Sequence, residues 1–347
     1  MTYNRDPKGR AMISVSRKCF IQSATATGVA MAFSSHAAGR RADAAATGVF
    51  AGMRGAFSAM YTPYTKDNKI NFEMIDRIVE YGLRKGLAGF YVTGSTGESM
   101  YLTVEERAAV VARTVKAVRG RGKVIAHVGY ASTDDAVRCA KLAADAGADW
   151  VSSVAPGFLA FGVDAVVNHY RLIAEATNLP LLVYSWNQEL NTERELRLFD
   201  IPNVCGMKYT GNDFYSVQKL KRRIGKEAVF YVGNDPMLLP GLAYGSVFSG
   251  GIGLTYNYLP RHHAEICRLA FANDFAAAAK WQDEANWMLD DFSMPDYSLR
   301  KAIMRYIGLD CGPCRHPFMP PTEAQYRELC EKLDRLGICK RNEALEV

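Results

Sequence analysis

Eight short apolar segments alternate with helical patterns through the body of this 347-residue chain, and this alternation constrains the fold more than any other feature. The segments are Ala56–Tyr61, Gly89–Thr93, Lys123–Gly129, Trp150–Ala155, Leu181–Ser185, Cys205–Tyr209, Val229–Gly233 and Val247–Ile252. Most of them are apolar on both faces, as expected for parallel strands that helices cover. Eight βα units in about 200 residues predict a (β/α)8 barrel, the TIM-barrel form of the α/β class.

Helical patterns fill several of the stretches between these segments, namely Asn71–Lys85, Val104–Val118, Thr133–Ala146, Val163–Ala176 and Asn212–Ile224. Thr103 and Glu106 form a capping-box pattern at the start of the second helix. An open doubly wound sheet is the alternative fold, and it would carry a glycine-rich phosphate turn after its first strand. No such turn follows the first segment, so the barrel is favoured.

Three further helical patterns follow the eighth segment, near Ala264–Met288, Tyr297–Tyr306 and Glu323–Leu336. We expect these helices to pack against the barrel as a C-terminal extension. The chain therefore divides into an N-terminal extension (residues 1–52), a barrel (53–256) and a C-terminal helical extension (257–347).

The first 52 residues carry most of the positive charge of the chain. They hold seven Lys and Arg against two Asp, which accounts for five of the net charge of +6. The remaining body is nearly neutral, so the basic composition gives no support for a nucleic-acid surface there. After position 50 no uncharged apolar run reaches 18 residues, so no membrane span is expected in the body.

The same N-terminal segment has the layout of an export signal, with a basic stretch, a weakly apolar run and small residues beyond it. Ser16–Ile21 is similar to a twin-arginine signal that has lysine in the second arginine position. This pattern predicts a protein exported to the periplasm. Two alternatives stay open: a disordered extension of a cytoplasmic protein, or an unused upstream start codon with Met53 as the first residue.

The eight cysteines are scattered, and a chain of this size can build a core without disulfides. Cys311 and Cys314 form a CxxC pair, a spacing that also occurs in redox dithiols and in zinc sites. This pair has no second ligand pair, so a structural role is favoured. His127 and His169 fall inside a strand and a helix, where structural roles are also expected. No HExxH motif, phosphate loop or acidic metal cluster occurs.

A single lysine lies near the end of the apolar sixth segment, in the run Val204–Thr210. Ammonium is among the groups least often buried, and burial disfavours the charged form of an amine. A desolvated neutral amine is a nucleophile that condenses with carbonyl compounds. Lys208 is therefore a candidate catalytic residue, with the alternative that its side chain extends from the strand end into solvent.

Other chemically useful groups follow the predicted strands at the end where barrel enzymes place their active sites. The Gly94–Glu98 turn frees backbone N–H groups and adds the hydroxyls of Ser95 and Thr96, a pattern suited to binding a small carboxylate. Tyr184 lies near the end of the fifth segment and could transfer protons near the lysine. The glycines of Gly250–Gly253 would let a ligand approach the backbone closely.

The motifs Gly94-Ser-Thr-Gly-Glu98 and Gly206-x-Lys208-x-Thr210 together resemble those of the pyruvate-dependent class I aldolases, the family of dihydrodipicolinate synthase and N-acetylneuraminate lyase. The resemblance runs from Met53 to about Leu336. It implies that Lys208 forms a Schiff base with pyruvate and that Tyr184 transfers protons. The implied binding residues are Ser95 and Thr96 for the pyruvate carboxylate, and Thr210, Gly233, Asp235 and Gly251 near the sugar portion.

The resemblance also implies a small keto acid as substrate, a homotetramer or dimer, and no metal or organic cofactor. Lys208–Tyr215 and Gly250–Asn257 are most similar to the lyase branch. The synthase branch expects an arginine shortly after the strand-five tyrosine, and Ser185–Asn187 supplies none. The lyase branch is therefore favoured.

Three positions depart from the lyase pattern. Pro236 and Leu254 stand where the lyase has a glutamate and a serine that hold the polyhydroxyl tail, and Ala155–Phe158 lacks a loop tyrosine. We predict a lyase that cleaves a 2-keto sugar acid to pyruvate and an aldehyde. A hydro-lyase acting on a related acid and a catalytically silent ligand-binding barrel are the alternatives.

Overall fold

A computed structural model describes residues 4–5, 11–12, 48–157, 159–186, 190–291 and 297–345. The chain divides into two compact units, residues 1–44 and 45–347. In the first unit, the described strands Asn4–Arg5 and Ala11–Met12 pair in antiparallel fashion. The predicted export motif Ser16–Ile21 lies outside the described residues.

The second unit contains eight parallel strands that close into a barrel, which confirms the predicted fold class. The strands are β1 Gly55–Ala59, β2 Gly89–Val92, β3 Lys123–His127, β4 Trp150–Val154, β5 Leu181–Trp186, β6 Val204–Thr210, β7 Val229–Val232 and β8 Gly250–Gly253. Each strand pairs with its sequence neighbour, and β8 closes the barrel against β1. The carboxyl ends of all eight strands therefore face the same end of the barrel.

One helix follows each barrel strand, and three more follow at the C-terminal end. The helices are α1 Phe72–Arg84, α2 Val104–Val118, α3 Thr133–Asp145, α4 Val163–Glu175, α5 Thr192–Phe199, α6 Phe214–Ile224, α7 Leu238–Ala243, α8 Pro260–Phe271, α9 Phe275–Asp291, α10 Tyr297–Tyr306 and α11 Glu323–Leu336. The predicted capping box forms, because the Thr103 side chain accepts from the Glu106 N–H while the Glu106 carboxylate accepts from the Thr103 N–H. Among the described residues, no helix is sufficiently long and apolar to cross a membrane.

Two predicted elements differ from the structure. The pattern Ala264–Met288 covers two helices, α8 and α9, because the chain turns between them at Asn273 with a left-handed φ of 62°. Strand β8 begins at Gly250 and not at Val247, because pairing with β1 starts at Gly250, where the backbone of Gly55 leaves no room for a side chain. Val247 instead joins the core between the strands and the helices.

The amino-terminal end of the barrel interior is closed by aromatic packing. The indole N–H of Trp150 donates to the Val49 carbonyl at 3.0 Å, and the rings of Phe50 and Trp150 lie 6.0 Å apart. The Tyr231 hydroxyl donates to the Met53 carbonyl. This plug leaves the opposite end, where the strands terminate, as the open mouth of the barrel.

Candidate active site

Lys208 lies near the carboxyl end of β6, and its Cα pairs with Tyr184 on β5 and with Tyr231 on β7. The side chain is only 4% exposed. Its Nζ lies 4.1 Å from the ring centroid of Tyr184 and 4.7 Å from that of Tyr91. None of the ion pairs among the described residues includes this amine. The alternative of a lysine extending into solvent is therefore wrong.

A second buried lysine, Lys301, has its charge neutralised by polar partners in the ordinary way. Lys301 on α10 is 1% exposed, and its Nζ donates to Glu98 Oε1 at 2.7 Å and to the Pro313 carbonyl at 3.0 Å. Buried charges in proteins are normally paired in this way. Lys301 also lies over an aromatic ring, that of Tyr64 at 4.3 Å, so the feature that distinguishes Lys208 is the lack of a carboxylate or carbonyl partner among the described residues.

A local irregularity in β6 directs Lys208 inward. The register between β5 and β6 shifts after Leu181, which pairs with Val204, because Leu182 pairs with Gly206 and leaves Cys205 as the extra residue. Such bulges re-aim the side chains that follow them. Beyond the bulge, Lys208 and Tyr184 face each other in register on the interior side of the barrel.

Tyr184 contributes the second group of the site. Its side chain is 6% exposed, and its ring meets Tyr91 and His127 edge-on at 6.2 and 6.1 Å. On its other side, the ring of Trp186 stacks at 6.5 Å with an interplanar angle of 25°. This packing fixes the tyrosine ring beside the amine, with the indole toward the mouth.

The Gly94–Glu98 turn follows β2 and forms a concave backbone segment. The backbone N–H groups of Ser95 and Thr96 find no acceptor among the described residues. Glu98 adopts a left-handed φ of 59°, as expected for the end of such a turn. Free N–H groups in this arrangement, with the two hydroxyls beside them, suit a bound carboxylate.

Side chains from distant elements hold this turn in place. The Tyr297 hydroxyl of α10 donates to the Thr96 carbonyl, and the Thr62 hydroxyl donates to the Gly97 carbonyl at 2.7 Å. Glu98 receives both Lys301 and the backbone N–H of Arg315, the latter at 2.8 Å. The C-terminal segment therefore holds the Gly94–Glu98 turn in position.

Thr210 and Gly233 lie close to the lysine. The Thr210 Oγ1 atom is buried and has no hydrogen-bond partner among the described residues. A side chain at Gly233 would overlap that hydroxyl and approach within 3.2 Å of Lys208 Cε. The structure thus brings these two predicted residues to the amine.

Asp235 and Gly251 are placed differently. The Asp235 carboxylate accepts hydrogen bonds from the Thr255 N–H at 2.8 Å and the Thr255 hydroxyl at 2.6 Å. Burial raises the pKa of Asp235, although the hydrogen bonds from Thr255 and the charge of Lys208 act in the opposite direction. A side chain at Gly251 would contact Tyr256 and Leu238, so this position does not face Lys208.

Sequence reasoning missed Tyr91, which forms one wall of the amine site. Its hydroxyl shares a hydrogen bond of 3.0 Å with Ser152, and burial raises its pKa. Tyr91 lies in an apolar strand, and the sequence pattern around it is the same as that around an aromatic residue of the structural core. His127 lies beside it, where burial and then the nearby Arg107 lower the pKa of the imidazole, consistent with the expected structural role.

The CxxC pair is buried in the C-terminal segment. Burial raises the pKa of both Cys311 and Cys314 to about 12, so these thiols stay protonated near neutral pH. The seven cysteines among the described residues are all free thiols.

A family model described as the dihydrodipicolinate synthetase family matches residues 52–336, which is most of the chain. The chain belongs to this family. It is 34% identical over 286 residues to the N-acetylneuraminate lyase of Rhizobium meliloti, covering 80% of this chain and 94% of that protein. It is 35% identical over 235 residues to the 4-hydroxy-tetrahydrodipicolinate synthase of Laribacter hongkongensis, covering 67% of this chain and 80% of that protein.

A crystal structure of N-acetylneuraminate lyase from Mycoplasma synoviae superimposes with a TM-score of 0.76 at 30% identity, covering 83% of this chain and 99% of that one. Family membership confirms the resemblance seen in the sequence and, with it, the class I aldolase chemistry in which a lysine forms a Schiff base. The chain is a carbon–carbon lyase of this type.

Proposed function

We propose that this protein is a pyruvate-dependent lyase of the N-acetylneuraminate lyase type, which cleaves a 2-keto acid with a hydroxylated carbon chain to pyruvate and an aldehyde. The observation that carries this proposal is the amine of Lys208. It is buried against Tyr184 and Tyr91, and no ion pair among the described residues includes it. An amine in such surroundings is suited to condensation with a ketone.

Cleavage begins when Nζ attacks the C2 ketone of the substrate and water leaves, which forms an iminium ion. A base removes the proton of the C4 hydroxyl, and the C3–C4 bond breaks. The electron pair of that bond moves into the iminium, so an aldehyde departs and an enamine remains. Protonation at C3 and hydrolysis of the imine release pyruvate and restore the amine.

In this scheme Tyr184 carries the proton between the C4 hydroxyl and solvent or substrate, since its ring lies against the amine. The substrate carboxylate occupies the Gly94–Glu98 turn, where the N–H groups of Ser95 and Thr96 have no acceptor among the described residues. Thr210 and Gly233 border the carbons beyond the imine. Asp235, which follows β7, and Gly251, which lies within β8, are assigned to the more distant part of the substrate.

The test is borohydride reduction in the presence of pyruvate, followed by peptide mass spectrometry. We expect a stable secondary amine on Lys208. The variant Lys208→Met should give no adduct, whereas Lys219→Met, which removes an exposed lysine on α6, should react as the wild type does. An adduct elsewhere, or none in the wild type, would contradict the proposal.

A panel of 4-hydroxy-2-oxo acids, with sugar acids and other members, then identifies the reaction. Release of pyruvate with an aldehyde supports the lyase. Loss of water with retention of the carbon chain would indicate the hydro-lyase instead, and an adduct without turnover of any acid would indicate a binding barrel.

We further propose that residues 1–52 direct export by the twin-arginine route and that the mature protein is a homotetramer or dimer. The basic N-terminal segment and the Ser16–Ile21 motif support the first proposal, and family membership supports the second. Mass spectrometry of the N-terminus of protein from the periplasm, and light scattering of the purified protein, test them. An intact N-terminus in the cytoplasm or a monomer would contradict the respective proposal.

A further inference from the structure

Trp186 is the most unusual side chain at the open mouth of the barrel. Side chains alternate along a strand, so Leu182, Tyr184 and Trp186 share the interior face of β5. Trp186 is the last of the three, and its side chain is 48% exposed. A large aromatic ring is thus held open to solvent directly above the reacting groups.

The position of this ring relative to the amine follows from its contacts. The indole stacks on the Tyr184 ring, and the same tyrosine ring lies 4.1 Å from Lys208 Nζ. The Cα of Trp186 pairs with that of Thr210, two residues beyond the lysine on β6. A substrate bound as an imine and extending toward solvent therefore passes Tyr184 and reaches the indole.

Apart from the unpaired hydroxyl of Thr210 beside the lysine, the described groups farther along offer little to a chain of hydroxyl groups. The carboxylate of Asp235 already accepts two hydrogen bonds from Thr255. Pro236, four residues beyond β7, and Leu254, directly after β8, have side chains that form no hydrogen bonds. Hydroxyl groups that lose water without finding partners bind poorly, whereas a flat apolar group gains from stacking on an indole.

We propose that Trp186 is a specificity-determining residue that selects substrates with an aromatic group on the aldehyde half. The substrate class is a 4-aryl-4-hydroxy-2-oxo acid, and the products are pyruvate and an aromatic aldehyde. The inference rests on the proposed lyase function. The covalent steps are those given above, with the aryl-bearing C4 leaving as the aldehyde after the C3–C4 bond breaks.

The experiment compares aldol condensation of pyruvate with benzaldehyde and with glyceraldehyde as acceptors. We expect the wild type to have a higher kcat/KM for benzaldehyde. Trp186→Ala should lower the ratio of the two kcat/KM values by about tenfold, the effect of losing one stacked ring. Trp186→Phe keeps a ring and should retain most of the ratio.

Trp287→Ala is the matched control, since it removes another exposed tryptophan, on α9, and should leave the ratio unchanged. Borohydride trapping with pyruvate alone reports separately on the imine. If trapping at Lys208 fails, the proposed function is wrong. If trapping succeeds but glyceraldehyde is the better acceptor, or Trp186→Ala leaves the ratio unchanged, only the aromatic specificity is overturned.

Discussion

At the scale of single residues, Lys208 and Lys301 are both deeply buried in the described part of the chain, and both lie over aromatic rings. They differ in their polar partners, since Lys301 donates to a carboxylate and a carbonyl, whereas Lys208 has no such partner among the described residues. The amine of Lys301 is therefore occupied, and that of Lys208 is accessible to a ligand. The difference assigns a structural role to one and a chemical role to the other.

Replacing Tyr184 with Phe tests the proton-transfer role at this scale. The ring stays beside the amine, but the hydroxyl is lost, so we expect kcat to fall by about a hundredfold or more. Borohydride trapping of pyruvate should continue, because the amine is still present. A variant that keeps wild-type kcat would remove Tyr184 from the mechanism.

Gly233→Ala tests how closely the residues around the amine are fitted. The added methyl group would overlap the Thr210 hydroxyl and press on Lys208 Cε. A displacement of about 1 Å at such a position costs about a hundredfold in rate. Gly162→Ala is the control, since nothing lies within 4 Å of that added methyl group, and its kcat/KM should match the wild type. Equal rates for both variants would contradict the close fit.

At the scale of elements, the strands could be predicted more completely than the site. All eight barrel strands were recognisable because strands covered on both sides are apolar throughout. The bulge at Cys205 and the break at Asn273 depend on pairing and turn geometry that hydrophobic patterns do not contain. The predictions of Lys208 and Tyr184 depended on their places at strand ends.

The support of the Gly94–Glu98 turn could not be predicted, for a physical reason. Tyr297 and Lys301 contact the turn across about 200 residues of chain, with sequence separations of 201 and 203. No local periodicity connects such positions. A lysine and a tyrosine on a helix also look like ordinary surface residues until the helix is docked.

The buried pair Glu98–Lys301 gives a prediction for this element. Lys301→Met leaves the Glu98 carboxylate buried with only its backbone donor, which should lower the free energy of unfolding by about 3–5 kcal/mol. The double variant Glu98→Gln/Lys301→Met removes both charges and should recover much of the loss. Urea denaturation of the wild type, Lys301→Met, Glu98→Gln and the double variant measures this. If the loss in free energy of unfolding of the double variant equals the sum of the losses of the two single variants, Glu98 and Lys301 are not coupled.

At the scale of the whole molecule, four buried histidines of the described chain predict acid sensitivity, and burial lowers the pKa of one of them, His262. Burial also lowers the pKa of His127 well below its usual value, that of His169 to about 4 and that of His263 to about 3. Below about pH 6.5 the unfolded chain binds protons at these groups and the folded chain does not. The free energy of unfolding should therefore fall as pH decreases from about 6.5 to 4, by about 1.4 kcal/mol per pH unit for each histidine.

Urea denaturation across this pH range measures the effect, and His169→Gln should remove the contribution of His169 to the slope, about 1.4 kcal/mol per pH unit. The exposed His316 provides the control, since His316→Gln should leave the slope unchanged. Burial also raises the pKa values of Asp235 and Glu195. The folded chain therefore takes up protons at these carboxylates before the unfolded chain does, which increases the free energy of unfolding as the pH falls. A stability that does not change between pH 6.5 and 4 would contradict the assignment of neutral buried imidazoles.

The plug at the amino-terminal end of the barrel predicts where the folded unit must begin. A chain that starts at Met53 lacks the Val49 carbonyl that accepts from Trp150, and it lacks the Phe50 ring. We expect it to be about 2–3 kcal/mol less stable than a chain that starts at residue 45. Denaturation of the two truncated proteins measures this. Equal stability would show that Met53 is a sufficient start.

The hydrogen bonds from α10 to the Gly94–Glu98 turn have a consequence for ligand affinity. A carboxylate that orders the turn also strengthens the docking of α10, because both share Tyr297, Thr96 and Glu98. Thermodynamic linkage makes this effect reciprocal. Pyruvate should therefore bind more tightly when α10 is docked than when it is undocked, by the same factor by which bound pyruvate favours docking.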